Sequence, residues 1–208
     1  MAILDPNQSY TFSNYFELRI DALELSQYFG YGFTRKQLTL NQYTGVLDRL
    51  DLLRTDILEI LPRLVRSNEQ AKREALIFPV IRTVAHYADT LLRIEYPIKV
   101  TAQLQGTIDY LLSIDNLHQL TVIEAKQGDI DYGFTQLVAE LIALDQWEQS
   151  PAIEQQPVLI GAVTIGDLWR FGRLDRHTKS IAEDINSYRV PEDLEMLLRI
   201  LIAVFRVT

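Results

Sequence analysis

Apolar and polar positions along the chain follow two periodicities, and their succession predicts a helical first third, then strands interleaved with helices. Ser13 can cap a short helix through Phe16, Leu18 and Ile20, and Asp21 can start another that ends near Gly30-Tyr31-Gly32, where glycine permits a reversal. Val46, Leu50, Leu53, Ile57, Ile60 and Leu64 recur at helical spacing, which predicts a long amphipathic helix that Pro62 bends or ends. Ser67-Asn68-Glu69-Gln70 has the form of a capping box with Ser67 as N-cap, and Ala71, Ala75 and Phe78 continue an inner face until Pro79 interrupts that helix or begins its next piece.

The pattern then shortens. Leu91 to Val100 reads as a strand in which Pro97 marks an edge or a bulge. Gly106 to Ile114 and Gln119 to Ala125 are rich in Ile, Leu, Val, Thr and Tyr and flank Asp115-Asn116-Leu117-His118, so they read as a β-hairpin. Phe134, Leu137, Val138, Leu141, Ile142 and Trp147 define a helix that covers the sheet. After Pro157, the unbroken apolar run from Val158 to Thr164 predicts a central buried strand, and Leu168 to Leu174 a returning one. Met196 to Phe205 is a core or interface helix, apolar on more than one face, which raises the expectation of a homodimer contact. The expected class is α/β (α+β), a central mixed sheet flanked by helices. Residues 1–66 are expected as a helical N-terminal extension, and 67–208 as the core with its C-terminal helix.

The hairpin carries the candidate chemistry. If its strands pair outward from Asp115 opposite His118, then Ser113 meets Leu120, Leu111 meets Val122, and Asp109 meets Glu124. Glu124 and Lys126 point to one face, roughly 6.5 Å apart along the strand, and Asp109 shares that face in this register. Two facing carboxylates must be exposed, protonated or bridged by a cation. On this reading Asp109→Asn relieves repulsion and slightly stabilises the metal-free protein. A pair of carboxylates, with a strand carbonyl, is a hard-oxygen site suited to Mg²⁺ or Mn²⁺. Lys126 would orient or help deprotonate an attacking water, or offset charge in the transition state.

Asp109, Glu124, Ala125 and Lys126 together resemble the signature of the PD-(D/E)XK, or restriction-endonuclease-like, nuclease superfamily. The resemblance implies a core of helix, three-stranded meander, helix and strand, with Asp109 and Glu124 as metal ligands, Ala125 at the metal site, and Lys126 as the catalytic lysine. Ile108 stands where many members have proline; the Gly106-x-x-Asp109 form is similar to exonuclease and Cas-associated branches. Those branches carry a glutamine on the following helix, where Gln136 stands, and that residue is either part of the site or a helix-surface amide. Glu140, one turn on, has a weaker claim. Glu74 stands where some relatives place an extra acid near the metal; otherwise it is a surface glutamate beside Lys72 and Arg73.

Composition limits the alternatives. The chain of 208 residues has no cysteine, which excludes disulfides, thiolate zinc sites and cysteine nucleophiles and fits a cytoplasmic setting. The beginning lacks the basic region and apolar run of a secretory signal, and no apolar segment is long enough for a bilayer. A net charge of -8 repels nucleic acid overall, yet Arg170, Arg173, Arg176 and Lys179 form one local cluster that could track a phosphate backbone, and Arg63, Arg66, Lys72 and Arg73 another. The first cluster could equally be a solvated strand and loop paired with Glu183 and Asp184. The expected function is a Mg²⁺-dependent nuclease acting on nucleic acid, with DNA as the expected substrate. The alternative is a nuclease-fold module with a binding, regulatory or assembly role, and the acidic field favours that or a partner protein.

Overall fold

The apolar run Val158–Thr164 forms β5 and lies mid-sheet, because a strand with no polar alternation must be covered on both faces. The computed structural model describes residues 3–65, 68–114, 118–125 and 129–206, with 118–125 described in the main chain only. Seven further strands complete the sheet: β1 (Gly32–Lys36), β2 (Leu91–Lys99), β3 (Gln105–Ile114), β4 (His118–Ala125), β6 (Leu168–Asp175), β7 (Ser180–Asp184) and β8 (Tyr188–Arg189). Their order is β1-β7-β6-β5-β4-β3-β2, with β8 added to β6. β4 and β5 run parallel, as do β1 and β7, and the remaining pairs are antiparallel. The sheet is therefore mixed.

Helices cover both faces. One layer holds α1 (Phe12–Glu17), α2 (Ala22–Tyr28) and α6 (Ile130–Gln146), and its core joins Phe12, Tyr15 and Leu25 to Phe134, Leu137 and Val163. The other holds α3 (Leu50–Ile60), α5 (Phe78–Ala88) and α7 (Leu194–Ala203), around Ile57, Val84, Phe171 and Leu201. Gly161 and Gly172 face each other across β5 and β6. A Cβ on Gly161 would stand 2.6 Å from Leu137 Cδ1, and one on Gly172 3.0 Å from Phe134 Cζ, so these glycines let α6 lie close on the sheet. Because α1 and α2 cover its outer side, α6 is buried nearly all round.

Several local expectations are revised. Thr11, not Ser13, heads α1, in a capping box with Asn14, whereas Asp21 does cap α2 by accepting from Leu23 N–H. Gly32–Lys36 is an edge strand rather than part of a helical region; its largely exposed pattern carries no apolar alternation. Residues 1–66 thus give the sheet an edge and one layer two helices, instead of standing outside the core. The helix expected from Val46 begins only at Leu50, with Val46 fully outside it, and ends in a 3-10 turn at Leu61–Arg63 containing Pro62. Asn68 caps α4 (Glu69–Lys72) by accepting from Ala71 N–H; Ser67 lies outside the described residues.

Pro79 begins the next piece. Lacking an N–H, it cannot close the usual bond to Ala75, and the chain before it widens into a π-helical turn, Arg73–Ile77. That shift moves the inner face to Leu76, Ile77, Val80 and Ile81, leaving Ala71, Ala75 and Phe78 half-buried. The apolar residues of α7 are consumed within the chain, where Leu197, Leu198, Leu201 and Ile202 pack in the same core as α5. The feature that suggested a homodimer contact is thereby accounted for inside one copy. Among the described residues no helix is long and apolar enough to cross a membrane.

Candidate active site

Three elements end at one rim of the sheet: β3 enters there, β4 leaves, and α6 starts just beyond. The β3–β4 ladder pairs Ser113 with Leu120, Leu111 with Val122, and Tyr110 with Ile123, as the outward-pairing register requires. At the turn the pairing differs. Ile114, and not Asp115, faces His118, and a one-residue shift between Ser113 and Ile114 restores the expected register beyond it. The last pair stops one residue short of Asp109 and Glu124, and Glu124 and Ala125 are in turn laddered to Val163 and Thr164 of β5. The side chains of Glu124 and Ala125, and all of Lys126, lie outside the described residues.

Asp109 turns toward the α5 layer. Its carboxylate is ion-paired with Arg73, which the π-helical turn carries to this rim, and the two side chains are 15% and 17% exposed. Arg73 also stands 3.5 Å from Glu95 and has its guanidinium carbon 5.8 Å from the centre of the Tyr110 ring. The facing-carboxylate problem foreseen at Asp109 is therefore met by a cation from the chain itself. Strand parity breaks at the same place: Ile108 packs in the α6 layer, whereas Tyr110 and Leu112 pack in the α5 layer. Glu95, on β2 between the residues paired with Ile108 and Tyr110, takes a left-handed conformation with φ of 51°. Burial raises the Tyr110 phenol's pKa, against the lowering effect of Arg73.

Glu74 is exposed on the same π-helical turn and accepts a 2.9 Å hydrogen bond from the Gln70 amide. It joins Arg73, Glu95 and Tyr110 in lining a small recess of about 180 Å³. Among the described residues no cluster of three or more His, Asp or Glu side chains is arranged to hold a metal.

On α6, Asp129 caps the first turn by accepting from Asp131 and Tyr132 N–H. Gln136 and Glu140 are not surface groups. They are 3% and 0% exposed, and Gln136 Nε2 donates to Glu140 Oε1 at 3.0 Å. Gln136 Oε1 is buried with no hydrogen-bond partner among the described residues. A carboxylate and an amide in the middle of a helix otherwise lined by Leu, Val and Ile incur a desolvation cost that ordinary packing would not require.

The four expected phosphate-binding cations do not form one patch. Arg170 stands on β6 and is bound by Asp131 at 2.5 Å and Glu183 at 2.8 Å, beside a cavity of about 510 Å³ at the start of α6. Burial opposes its charge, but Asp131 and Glu183 outweigh this and raise its pKa above the ordinary arginine value. Arg35 of β1 shares Glu183 at 2.8 Å. Arg176 is buried and held by Asp145 at 2.7 Å and by the carbonyls of Pro151 and Gln156 at 2.8 and 3.1 Å, so it rivets the loop between α6 and β5. Tyr31 donates to the same Asp145 at 2.6 Å. Arg173 points to the opposite layer, and Lys179 lies in the β6–β7 turn over the Tyr31 ring. Alternation along β6 explains the dispersal: residues 170 and 173 cannot share a face.

Sequence reasoning placed Arg73 in a cation cluster that could track a phosphate backbone, not beside Asp109, and placed Glu95 on its strand without a role at the site. The available signal was Pro79, which forces the turn that aims Arg73 inward. Comparison of the chain with protein-family models and with curated proteins finds no match.

Proposed function

We propose that this chain is a divalent-metal-dependent phosphodiester hydrolase of restriction-endonuclease-like type, acting on nucleic acid, with DNA as the preferred substrate. The observation that carries the reading is the β3–β4 register, which, continued by one pair, would bring Asp109 opposite Glu124 along the main chain at the sheet rim where α6 begins, with the Asp109 carboxylate itself turned to Arg73. The order α5, β2, β3, β4, α6, β5 agrees with the helix, meander, helix and strand that the resemblance implies. The buried Gln136–Glu140 pair on α6 adds a polar element that packing alone does not explain.

Asp109 and Glu124 would hold Mg²⁺ or Mn²⁺, with the Ala125 carbonyl and water completing a hard-oxygen set; Glu74 is a more distant candidate ligand. The metal, when bound, supplies a polarised water and charge stabilisation at the phosphate. Lys126 orients that water, and Gln136 positions its neighbours from α6. Arg73 holds the charge of Asp109 in the metal-free chain and would have to release it for a metal to bind.

The Arg73–Asp109 pair also favours a second reading, a nuclease-fold binding module in which the acid is permanently neutralised. Plasmid nicking and single-strand digestion under Mg²⁺ and Mn²⁺ titration separate the two, using wild type, Asp109→Ala and Lys126→Ala. Cleavage by wild type alone supports the hydrolase. Intact substrates throughout, with no metal-dependent change at Asp109 in NMR spectra, would select the binding module.

A further inference from the structure

Arg173 stands apart from every other arginine at the sheet. On β6 it is registered between Ile160 of β5 and Ala182 of β7, so its side chain projects into the layer of α7. Half-buried, it makes no hydrogen bond or ion pair with any described residue. Asp175, two residues on, is turned to the Thr178 N–H at 3.0 Å. That bond lowers the Asp175 carboxyl's pKa and the charge of Arg173 helps, but Arg173 and Asp175 make no ion pair, so a guanidinium set among apolar side chains regains little of the hydration it loses.

The side chain lines a cavity of about 420 Å³, within the range of small-molecule sites. Its walls are of two kinds. Val158, Ile160 and Ile200 form an apolar side, and Asn41 and Gln155 join Arg173 on a polar one. The outer wall is fixed in place, because the segment containing Asn41 is tied to α7: Tyr43 N–H donates to Arg199 O at 2.9 Å, and the Arg199 guanidinium donates back to Tyr43 O at 2.7 Å. The cavity opens at the beginning of β5, the opposite end from Thr164 and the Asp109 rim.

We propose that this cavity is a binding site for a small amphipathic anion, whose carboxylate or phosphate head pairs with Arg173 and whose apolar body lies along Val158, Ile160 and Ile200. The planar fork of arginine suits either head group. The site is independent of the hydrolase reading.

Isothermal titration with octanoate, octyl phosphate and the neutral octanamide, below their aggregation limits, tests it. At least one anion is expected to bind roughly tenfold or more tightly than octanamide, and the tighter of the two identifies the head group. Arg173→Gln should abolish the preference and Arg173→Lys should keep part of it. Amide shifts in NMR spectra should centre on Val158, Ile160 and Ile200. Val204→Trp, which fills the cavity from a half-exposed position on its wall, should block both anions while leaving Arg173 in place. Equal affinity for anion and amide, shifts centred elsewhere, or undiminished octanoate binding by Arg173→Gln would overturn the proposal. So would inorganic phosphate binding as tightly as octyl phosphate. An Arg173 that serves only to complement the end of α7 would lower the melting temperature when replaced, with no change in any titration.

Discussion

Replacing Asp109 by asparagine should destabilise the metal-free protein, the reverse of what facing carboxylates alone would imply. The sequence reading counts only the repulsion relieved, which for solvated neighbours on a sheet is worth about 0.5 kcal/mol. The structure adds Arg73, whose guanidinium is paired with Asp109 with both side chains largely shielded from water. Removing one partner of a fully buried pair costs about 3–5 kcal/mol, and of an exposed pair about 0–1 kcal/mol. At 15% and 17% exposure the pair lies between these limits, nearer the buried one, and Glu95 at 3.5 Å retains part of the attraction. A gross cost of about 2 kcal/mol less the relieved repulsion leaves a net loss of roughly 1–2 kcal/mol. With a urea dependence of roughly 2 kcal/mol per molar, the unfolding midpoint in chelator should fall by about 0.5–1 M. Arg73→Met supplies the control: in that background Asp109→Asn should become neutral or stabilising, giving a coupling of about 1–2 kcal/mol in the double-mutant cycle. A higher midpoint for Asp109→Asn in the Arg73 background, or a cycle that closes at zero, would refute the assignment of Arg73 as the counter-charge.

Burial, reinforced by Asp184, raises the Tyr188 phenol to about 12. The folded chain then holds that proton more tightly than the unfolded one, so the contribution is whole below about pH 10 and is lost as pH rises through about 12. Tyr188→Phe should flatten the fall in urea midpoints over that interval; identical slopes for the two proteins would contradict it. Gln136→Leu takes a donor from the buried Glu140 carboxylate and should cost about 2–4 kcal/mol, whereas Gln136→Leu with Glu140→Leu should recover most of the loss. Additive losses in calorimetry would show that the two residues do not act as a pair. Arg176→Ala should cost about 3–5 kcal/mol by leaving the Asp145 carboxylate buried with Tyr31 as its remaining side-chain partner among the described residues, and a change under 1 kcal/mol in chemical denaturation would count against the rivet role.

The elements that announced themselves in the sequence were those whose burial pattern matches one simple period. β5 is apolar throughout and central, α6 carries its predicted inner residues except Trp147, which follows it as an extended C-cap, and β2 is an edge strand containing Pro97. β1 and β7 were missed for opposite reasons: β1 is mostly exposed and short, while β7 ends in Glu183 and Asp184, whose burial depends on Arg35, Arg170 and distant backbone. The hairpin register beyond the turn was legible from pairing the two apolar segments outward from the short polar stretch between them. The direction of Asp109 was not, because it is set by Arg73, a residue separated from it by a turn whose width Pro79 controls. The split of the arginine cluster follows from alternation on β6, which was available once that strand was assigned. Its energetic meaning needed the partners, Asp145 for Arg176 and a cavity for Arg173.

The parallel pairing of β1 with β7 has a kinetic consequence. Arg35 and Glu183 meet across 148 residues, and no hairpin can bring parallel strands together, so this edge must close by a long loop. Until it does, α6 has its sheet but not the α2 cover that β1 leads out of, and its apolar outer side is open to solvent. Folding of this chain should therefore be slow for its size, with a populated species that has the β2–β6 sheet assembled and the N-terminal segment still undocked, and aggregation should be most probable in that interval.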